Sequence, residues 1–233
     1  MHERQRAVDG FKRAAAERAV AAVSDGMTVG LGSGSTAEFA LAALAARIVD
    51  GLRVTGVPTS ERIADLARRH RIPLVPLDGR PIDLAIDGAD EIERGSLNLI
   101  KGGGGSLVRE KLVARMSRRF VVIADESKLV DRLGARVKLP VALLPFARSL
   151  ALRGLSAMGA DGTIRQAGGR DFVTDDGLVI ADCSFGTIAD PEAVVARVVA
   201  VPGVVDCGLF LGLVSEVIVA GAAGVQAITP ASA

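Results

Sequence analysis

Strand-like and helix-like segments alternate along the first half of the chain, and this alternation restricts the fold more than any other feature. A strand-like segment at 27–31 precedes a helical one at 36–48, and a second pair follows at 52–57 and 60–69. Such alternation is typical of a mostly parallel sheet with helices on both faces. The unbroken apolar run 120–124 suits a strand that is buried on both sides. The same patterns predict helices at 6–23 and 107–117 and strands at 73–77 and 82–87.

The pattern changes after Lys128, where short strand-like segments and turn residues replace the longer alternation. The triplet Asp175-Asp176-Gly177 indicates a hairpin turn. Asp190 followed by Pro191 marks the beginning of a helix, as cap and first helical residue. These features predict a small α+β domain of the split βαβ kind. The predicted elements are helices at 147–158 and 191–200 and strands at 137–141, 163–166, 172–174, 178–181 and 204–211.

The domain boundaries follow from this change of pattern. Residues 134–207 form the small domain, and residues 1–133 with 208–233 form the first domain in this interpretation. A last strand at 216–220 is expected to return to the first sheet. Residues 231–233 are predicted to be a frayed tail.

Charge and composition exclude several classes of function. Lys and Arg number 28 and Asp and Glu 27, so the basic surface of a nucleic-acid-binding or membrane-surface protein is not expected. No apolar run approaches the roughly 18 residues of a membrane span, and the charged N-terminal segment is unlike a signal peptide. Two cysteines, Cys183 and Cys207, make no disulfide framework, and with two histidines they are too few to indicate zinc. We therefore expect reduced thiols and a cytoplasmic protein.

The segment 30–37 has the composition of a phosphate-binding loop. It joins a predicted strand to a predicted helix, its glycines let the backbone approach an anion, and a helix N-terminus attracts one. Ser33, Ser35 and Thr36 add hydroxyl donors. A plain turn with a helix cap is an alternative, and the spacing also fits the loose dinucleotide fingerprint. A dinucleotide site needs an acidic residue at the end of the second strand to bind the ribose, and Glu61 falls in the next helix instead. A P-loop needs a Lys after the glycines, and none follows. A small phosphorylated ligand therefore fits better.

The segment Asp87-Gly88-Ala89-Asp90-Glu91 is an acidic turn directly after a predicted strand. Ligands of open α/β sheets bind beyond the carboxyl ends of the strands, so Asp87 and Asp90 can face one site. Carboxylates bind sugar hydroxyls and transfer protons. An acidic surface turn and a Mg²⁺ site are the alternatives.

Four consecutive glycines, residues 102–105, follow Lys101 and lead directly into a predicted helix. Ordering them costs much backbone entropy, so a flexible linker is one interpretation. Their place before a helix favours the other, a backbone loop around a ligand with Lys101 at its rim. Within the helix, Glu110 lies roughly 150° from the centre of an apolar stripe that includes Leu112. Periodicity alone therefore predicts an exposed Glu110 and a buried Leu112.

Taken together, these segments resemble the type A ribose-5-phosphate isomerases. The matching pieces occur in the family's order and at its approximate spacing, and the similarity covers nearly the whole chain. They are Gly32-Ser33-Gly34-Ser35-Thr36-Ala37, Asp87-Gly88-Ala89-Asp90-Glu91, Ile100-Lys101-Gly102-Gly103-Gly104, Arg109-Glu110-Lys111 and Ala124-Asp125-Glu126-Ser127-Lys128, with Pro202-Gly203-Val204-Val205 and Gly208-Leu209-Phe210 near the C-terminus.

The resemblance implies an aldose–ketose isomerase that interconverts D-ribose 5-phosphate and D-ribulose 5-phosphate through an enediol(ate), in the non-oxidative pentose phosphate pathway. It implies Glu110 as general base, Asp87 as the ring-opening residue and Lys101 as electrophile. The implied substrate-binding residues are Ser33, Gly34, Ser35, Thr36, Asp87, Gly88, Ala89, Asp90, Lys101, Gly102, Gly103, Gly104 and Lys128. It also implies a Rossmann-like domain with a smaller ferredoxin-like domain, a homodimer or homotetramer, and neither metal nor organic cofactor.

The sequence departs from the family pattern in two places. Ser33 stands where many members carry Thr, which keeps a hydroxyl, and the segment 211–216 lacks the Arg-Gly-Ala pieces of some members. Two other functions are compatible with a related fold. A phosphosugar sensor would need a DNA-binding module, and the N-terminal segment shows no helix-turn-helix. A coenzyme A transferase would use a glutamate nucleophile.

Overall fold

The structure is a computed structural model that describes residues 2–230. The tail predicted at 231–233 lies outside the described residues. The helices are α1 His2–Val20, α2 Ser35–Val49, α3 Glu61–Arg69, α4 Leu107–Met116, α5 Arg148–Ala157 and α6 Pro191–Val199, with short 3₁₀ turns at Glu126–Lys128 and Pro145–Ala147. The strands are β1 Thr28–Leu31, β2 Thr55–Pro58, β3 Leu84–Asp87, β4 Glu91–Glu93, β5 Leu99–Ile100, β6 Phe120–Asp125, β7 Leu129–Val130, β8 Leu139–Leu143, β9 Asp161–Ile164, β10 Gln166–Ala167, β11 Arg170–Asp171, β12 Val179–Ser184, β13 Val204–Cys207, β14 Leu209–Phe210, β15 Glu216–Gly221 and β16 Gly224–Ile228.

The chain divides into two compact units. The first unit comprises residues 1–89, 109–128 and 213–233, and the second unit comprises 90–108 and 129–212. The division passes through α4, between Val108 and Arg109. The second unit thus includes residues 90–108, which the sequence interpretation assigned to the first domain, and the predicted domain boundaries stay a prediction.

The first unit is built on a six-stranded sheet in the order β16-β15-β6-β3-β1-β2. Every neighbouring pair is parallel except β15 and β16, which form an antiparallel hairpin at the edge. Strand β15 pairs with β6, from Glu216 opposite Val121 to Ala220 opposite Asp125. The predicted return of the last part of the chain to the first sheet is confirmed.

Helices cover both faces of this sheet. Val29 and Leu31 of β1 belong to the aliphatic core that α1 and α2 complete with residues such as Ala16 and Leu44. Alternate residues of a strand point to opposite faces. The intervening Gly30 accordingly lies beside Val113 of α4 on the other face. This two-sided burial is what the apolar strands of the sequence predict.

The second unit carries an antiparallel sheet in the order β13-β8-β12-β9. Its chain order is β8, α5, β9, β12, α6, β13, which is the ferredoxin-like arrangement. Asp190 caps α6, because its side chain accepts a hydrogen bond of 2.9 Å from the Ala193 N–H, as predicted. A further small sheet has the order β14-β5-β4-β7. The predicted fold class, a mostly parallel α/β sheet with a smaller α+β domain, is confirmed.

Three predicted strands differ most from the structure. At 73–77 the backbone makes only the single bridge Gly56–Leu74, and at 172–174 only the bridge Val173–Val179. Pro73 and Pro76 have no N–H, which prevents a longer ladder in the first case. The strand predicted at 204–211 is interrupted at Gly208, so β13 and β14 belong to different sheets.

Candidate active site

Asp87 ends β3 at the carboxyl edge of the parallel sheet and is nearly fully buried. Its Oδ1 accepts hydrogen bonds from the Ser33 N–H at 3.1 Å and from the Gly88 N–H at 2.7 Å. Gly32 passes so close that a Cβ there would lie 2.3 Å from the carboxylate, which explains why only glycine fits. The loop 30–37 and Asp87, which belong to two separate motifs in the sequence, are therefore joined in the first unit.

A hydroxyl cluster surrounds Ser33. Its Oγ lies 2.7 Å from Thr59 Oγ1 and 2.9 Å from Ser60 Oγ. Thr59 donates to the Leu31 carbonyl at 2.9 Å, and Ser60 accepts from the Ile63 N–H at 3.2 Å as the cap of α3. Sequence analysis missed Thr59 and Ser60 as site residues. The available signal was their position after β2, since carboxyl ends of parallel strands share one edge.

Helix α2 begins directly in the glycine loop. Gly34 precedes the helix with a φ of 96°, and Ser35 is its first residue. Thr36 lies beside Gly88, with its Cβ 3.6 Å from where a Gly88 Cβ would stand. Lys12, from α1, places its Nζ 3.0 Å from Ser35 Oγ. A helix N-terminus, hydroxyls and an ammonium together favour an anion at this position.

Lys12 is a candidate that the sequence motifs do not contain. It lies on the preceding helix, 23 residues before Ser35, and only the packing of α1 on α2 places it at this loop. The one signal in the sequence was a Lys in an N-terminal helix that also carries several arginines. That signal does not distinguish Lys12 from its neighbours.

Lys128 and Glu110 also belong to the first unit. Lys128 ends the 3₁₀ turn after β6 and is half-buried; since β6 runs parallel to β3, this turn lies at the same edge as Asp87. The Met116 carbonyl, at the end of α4, accepts from the Ile82 N–H just before β3. Helix α4 therefore runs opposite to the strands, and Glu110 lies ~9 Å nearer the carboxyl edge than Met116.

The burial of α4 differs from the prediction by periodicity. Glu110 is 4% exposed and Leu112 is 48% exposed, the reverse of what the apolar stripe predicts. Lys111 is buried as well. The prediction was wrong because periodicity assumes that charged residues face water, and this helix buries two of them. Buried charge of this kind is a frequent sign of a functional site.

The glycine run lies in the second unit as an ordered loop. The Gly105 N–H donates to the Gly102 carbonyl at 2.9 Å, and Gly102 has a φ of 107°. The Gly103 N–H donates to Asp90 Oδ2 at 2.8 Å. Lys101 is 3% exposed, and its Nζ lies 5.6 Å from the centre of the Phe210 ring. The flexible-linker interpretation of the glycines is therefore wrong.

Arg165 is a further residue that the sequence motifs do not contain. It donates hydrogen bonds to the carbonyls of Gly102 and Gly103 and to the carboxylate of Asp182, and no motif in the sequence connects these positions. Its assignment requires the sheet order, because Asp182 lies on β12, opposite Thr163 on the neighbouring β9.

The predicted site residues are distributed over both units. Within the first unit, the structure brings together the loop 30–37, Asp87 and Gly88. Within the second unit, it brings together Asp90 and Gly103. The first unit holds Ser33, Gly34, Ser35, Thr36, Asp87, Gly88, Ala89, Glu110 and Lys128, and the second holds Asp90, Lys101, Gly102, Gly103 and Gly104. Their catalytic and binding roles stay predictions.

In the range 2–230, no group of three or more His, Cys, Asp or Glu side chains has the arrangement of a metal site. None of the helices in that range is both long and apolar enough to cross a membrane.

Residues 55–224 match the family model described as ribose 5-phosphate isomerase A (phosphoriboisomerase A). The chain is 53% identical over 219 residues to the ribose-5-phosphate isomerase A of Roseiflexus castenholzii, covering 92% of this chain and 93% of the relative. It is 49% identical over 227 residues to that of Gloeobacter violaceus, covering 97% and 99%.

Solved structures give the same result. The ribose 5-phosphate isomerase A of Methanocaldococcus jannaschii superposes with a TM-score of 0.91 at 41% identity, covering 94% of this chain and 98% of that one. A D-ribose-5-phosphate isomerase in complex with phospho-erythronic acid superposes with a TM-score of 0.92 at 36% identity, covering 95% and 99%.

Proposed function

The chain belongs to the ribose 5-phosphate isomerase A family, and from this premise we infer that it is an enzyme that interconverts D-ribose 5-phosphate and D-ribulose 5-phosphate. The structural observation that carries this inference is the burial of Asp87, Lys101 and Glu110, each at most 4% exposed. Taking an ionised group out of water costs on the order of several kcal/mol. Three such groups at the positions expected to do the chemistry support a catalytic role over a structural one. Family membership also argues against the sensor and transferase alternatives.

Glu110 is the general base in this proposal. Its carboxylate removes the C2 proton of the open-chain aldehyde, the C–H electron pair forms the C1–C2 double bond, and the aldehyde oxygen becomes an oxyanion. Return of the proton to C1, with transfer of the O2 proton to the O1 oxyanion, gives the ketone and its C1 hydroxyl. A carboxylate is a weak base for a carbon acid, so the developing oxyanion must be stabilised strongly.

Lys101 and the N–H groups of Gly102 and Gly104 stabilise that oxyanion in this proposal, while the Gly103 N–H holds Asp90. An ammonium that is shielded from water interacts with an anion more strongly than an exposed one does. A single donor of this kind is worth about 3 kcal/mol in the barrier. Asp87 assists the opening of the sugar ring, and Asp90 binds a sugar hydroxyl. Gly88 and Ala89 also line the binding site in this proposal.

The phosphate of the substrate binds at the first turn of α2 in this proposal. Ser33, Gly34, Ser35 and Thr36 supply hydroxyl and backbone donors, and Lys128 supplies a positive charge. The observation that supports this assignment is the Lys12 ammonium beside Ser35, which adds a second cation to the helix N-terminus.

Glu110→Gln tests the proposed mechanism. The amide keeps the shape of the side chain but cannot accept the C2 proton, so kcat for ribose 5-phosphate should fall about 10²–10⁴-fold. The measurement is a coupled assay of ribulose 5-phosphate formation, with circular dichroism to check folding. Glu192→Gln, on an exposed position of α6, is the matched control and should turn over like the wild type. Near-normal turnover of Glu110→Gln would reject Glu110 as the base.

Several finer properties are proposed from the resemblance alone. These are a place in the non-oxidative pentose phosphate pathway, a cytoplasmic location, a homodimer or homotetramer, and catalysis without metal or organic cofactor. Cys183 and Cys207 are buried thiols that form no disulfide among the described residues, which agrees with a reducing compartment. Full activity in the presence of EDTA would support metal independence, and light scattering would distinguish the dimer from the tetramer.

A further inference from the structure

Arg165 divides the N–H groups of its guanidinium between two partners. Nε and Nη2 donate to the two carboxylate oxygens of Asp182, at 2.9 Å and 2.5 Å. Nη1 donates to the carbonyls of Gly102 and Gly103, at 3.0 Å each. A paired carboxylate fork of this type fixes the plane of the guanidinium. The third nitrogen is thereby held at two consecutive peptide groups of the glycine loop.

The surroundings of Arg165 restrict its movement further. Its side chain is 16% exposed and that of Asp182 is 26% exposed, so both groups are largely shielded from water. The Phe172 ring lies with its centre 5.8 Å from the guanidinium carbon. The same ring packs so closely on Gly105 that a Cβ there would lie 2.4 Å from it. Arginine, carboxylate and ring together hold both ends of the glycine run.

Peptide geometry determines what this arrangement does to the loop. In a trans peptide the N–H points opposite to the C=O of the same peptide group. Because the Gly102 carbonyl faces Arg165, the Gly103 N–H faces away from it, and this N–H indeed donates to Asp90 Oδ2 at 2.8 Å. Because the Gly103 carbonyl also faces Arg165, the Gly104 N–H is directed away from it too.

We propose that Arg165 and Asp182 are positioning residues for the isomerisation, which orient the peptide N–H groups of Gly103 and Gly104 and, through the Gly103 N–H, the Asp90 carboxylate. This inference rests on the proposed function, in which the loop of residues 102–105 stabilises the enediolate. Arg165 acts at a distance from the reacting atoms. A cation on a peptide carbonyl also polarises the peptide, which makes the attached N–H a better donor. Arg165 should therefore stabilise the transition state more than it strengthens substrate binding.

Arg165→Ala provides the test. We expect kcat for ribose 5-phosphate to fall about 10- to 100-fold, because misdirected loop donors lose transition-state stabilisation, while KM changes less than about threefold. Binding of phospho-erythronic acid, whose carboxylate shares the planar, delocalised charge of an enediolate, should weaken by a similar factor to kcat. Millimolar guanidinium chloride should restore part of the lost kcat, and sodium chloride at the same concentration should not.

Two further variants keep the test decisive. Arg165→Lys retains a charge and supports folding, but it cannot hold the carboxylate fork and both carbonyls, so it should show the same reduction in kcat. Arg153→Ala removes an exposed arginine of the same unit and should match the wild type. The inference is overturned if the folded Arg165 variants keep wild-type kcat, or if their defect lies only in KM. A wild-type chain without isomerase activity would instead refute the proposed function itself.

Discussion

Buried charges at the residue scale are compensated by backbone groups. Asp87 receives two N–H donors, from Ser33 and Gly88, on one carboxylate oxygen. Glu91, also buried, accepts from the backbone N–H groups of Gly134, Arg136 and Val137. Such bonds replace water around an ion without neutralising it. Glu91 thereby fixes a loop of the second unit, whereas Asp87 fixes the loop that we assign to phosphate binding.

Lys12→Met should weaken substrate binding without abolishing catalysis. The Lys12 ammonium beside Ser35 is expected to contact the phosphate, a group whose charge is the same in substrate and transition state. Loss of one charge-assisted hydrogen bond should raise KM for ribose 5-phosphate about tenfold. Because the contact is shared by both states, kcat should change little.

Steady-state kinetics at low and high salt would check this prediction. Arg18→Met removes an exposed charge from the same helix and is the matched control, with an unchanged KM expected. A variant Lys12→Met with normal KM, or with a reduction confined to kcat, would contradict phosphate contact by Lys12.

The residues that sequence analysis found and missed differ in how they reach the site. The loop 30–37 and the acidic turn at Asp87 were predicted because each follows a strand. Local chain order therefore already places both at the carboxyl edge of the sheet. Lys12 and Arg165 were missed because only tertiary packing decides which lysine or arginine faces a given loop. The burial of Glu110 was predicted wrongly, since periodicity carries no information about a charge that is retained for function.

At the scale of elements, two glycines show how backbone conformation affects stability when packing plays no part. The surroundings of both are open. Gly10 lies inside α1 and Gly26 has a φ of 81°, and a Cβ at either position would meet nothing within 4 Å. Gly10→Ala should raise the free energy of unfolding by about 0.5–1 kcal/mol, since alanine favours a helix over the unfolded chain. Gly26→Ala should lower it by about 1–2 kcal/mol, since alanine is strained at positive φ.

Urea unfolding of both variants would measure the two effects against the wild type. Opposite signs are the expected outcome. Equal effects in one direction would mean that the conformations of these two glycines do not determine the result.

Elements were predicted well where burial is complete and poorly where pairing is short. The apolar run of β6 and the capped start of α6 were correct because local composition determines them. The segment 73–77 looked like a strand but makes one bridge, because its prolines cannot extend a ladder. Which of two apolar segments pairs with a sheet depends on neighbours far along the chain, and periodicity does not report on those.

At the scale of the whole molecule, Cys183 links the stability of the chain to alkaline pH. Burial, and then the neighbouring Asp182, raise the pKa of this thiol to about 12. In the unfolded chain a thiol has a pKa of about 8.5. Between these values the folded state keeps a proton that the unfolded state has lost, so the free energy of unfolding should fall as pH rises. The slope from this one group is at most about 1.4 kcal/mol per pH unit.

Cys183→Ala isolates this contribution. Urea unfolding at about pH 8 and about pH 11 should show a smaller loss of stability in the variant than in the wild type. All other titratable groups are common to both proteins, so only the difference between the two is assigned to Cys183. Parallel pH profiles would show that this thiol does not govern the alkaline limit.

Strand β6 leaves the ribosome long before β15, its neighbour in the first sheet, has been synthesised. The intervening residues include the whole ferredoxin-like arrangement from β8 to β13. Until β15 arrives, β6 presents the open edge of a growing sheet, with unpaired peptide groups along an apolar strand. The second unit can therefore fold during translation while the sheet that carries Asp87 and the loop 30–37 is still incomplete. Acquisition of activity therefore has to wait until residues 216–221 have been synthesised and have paired with β6.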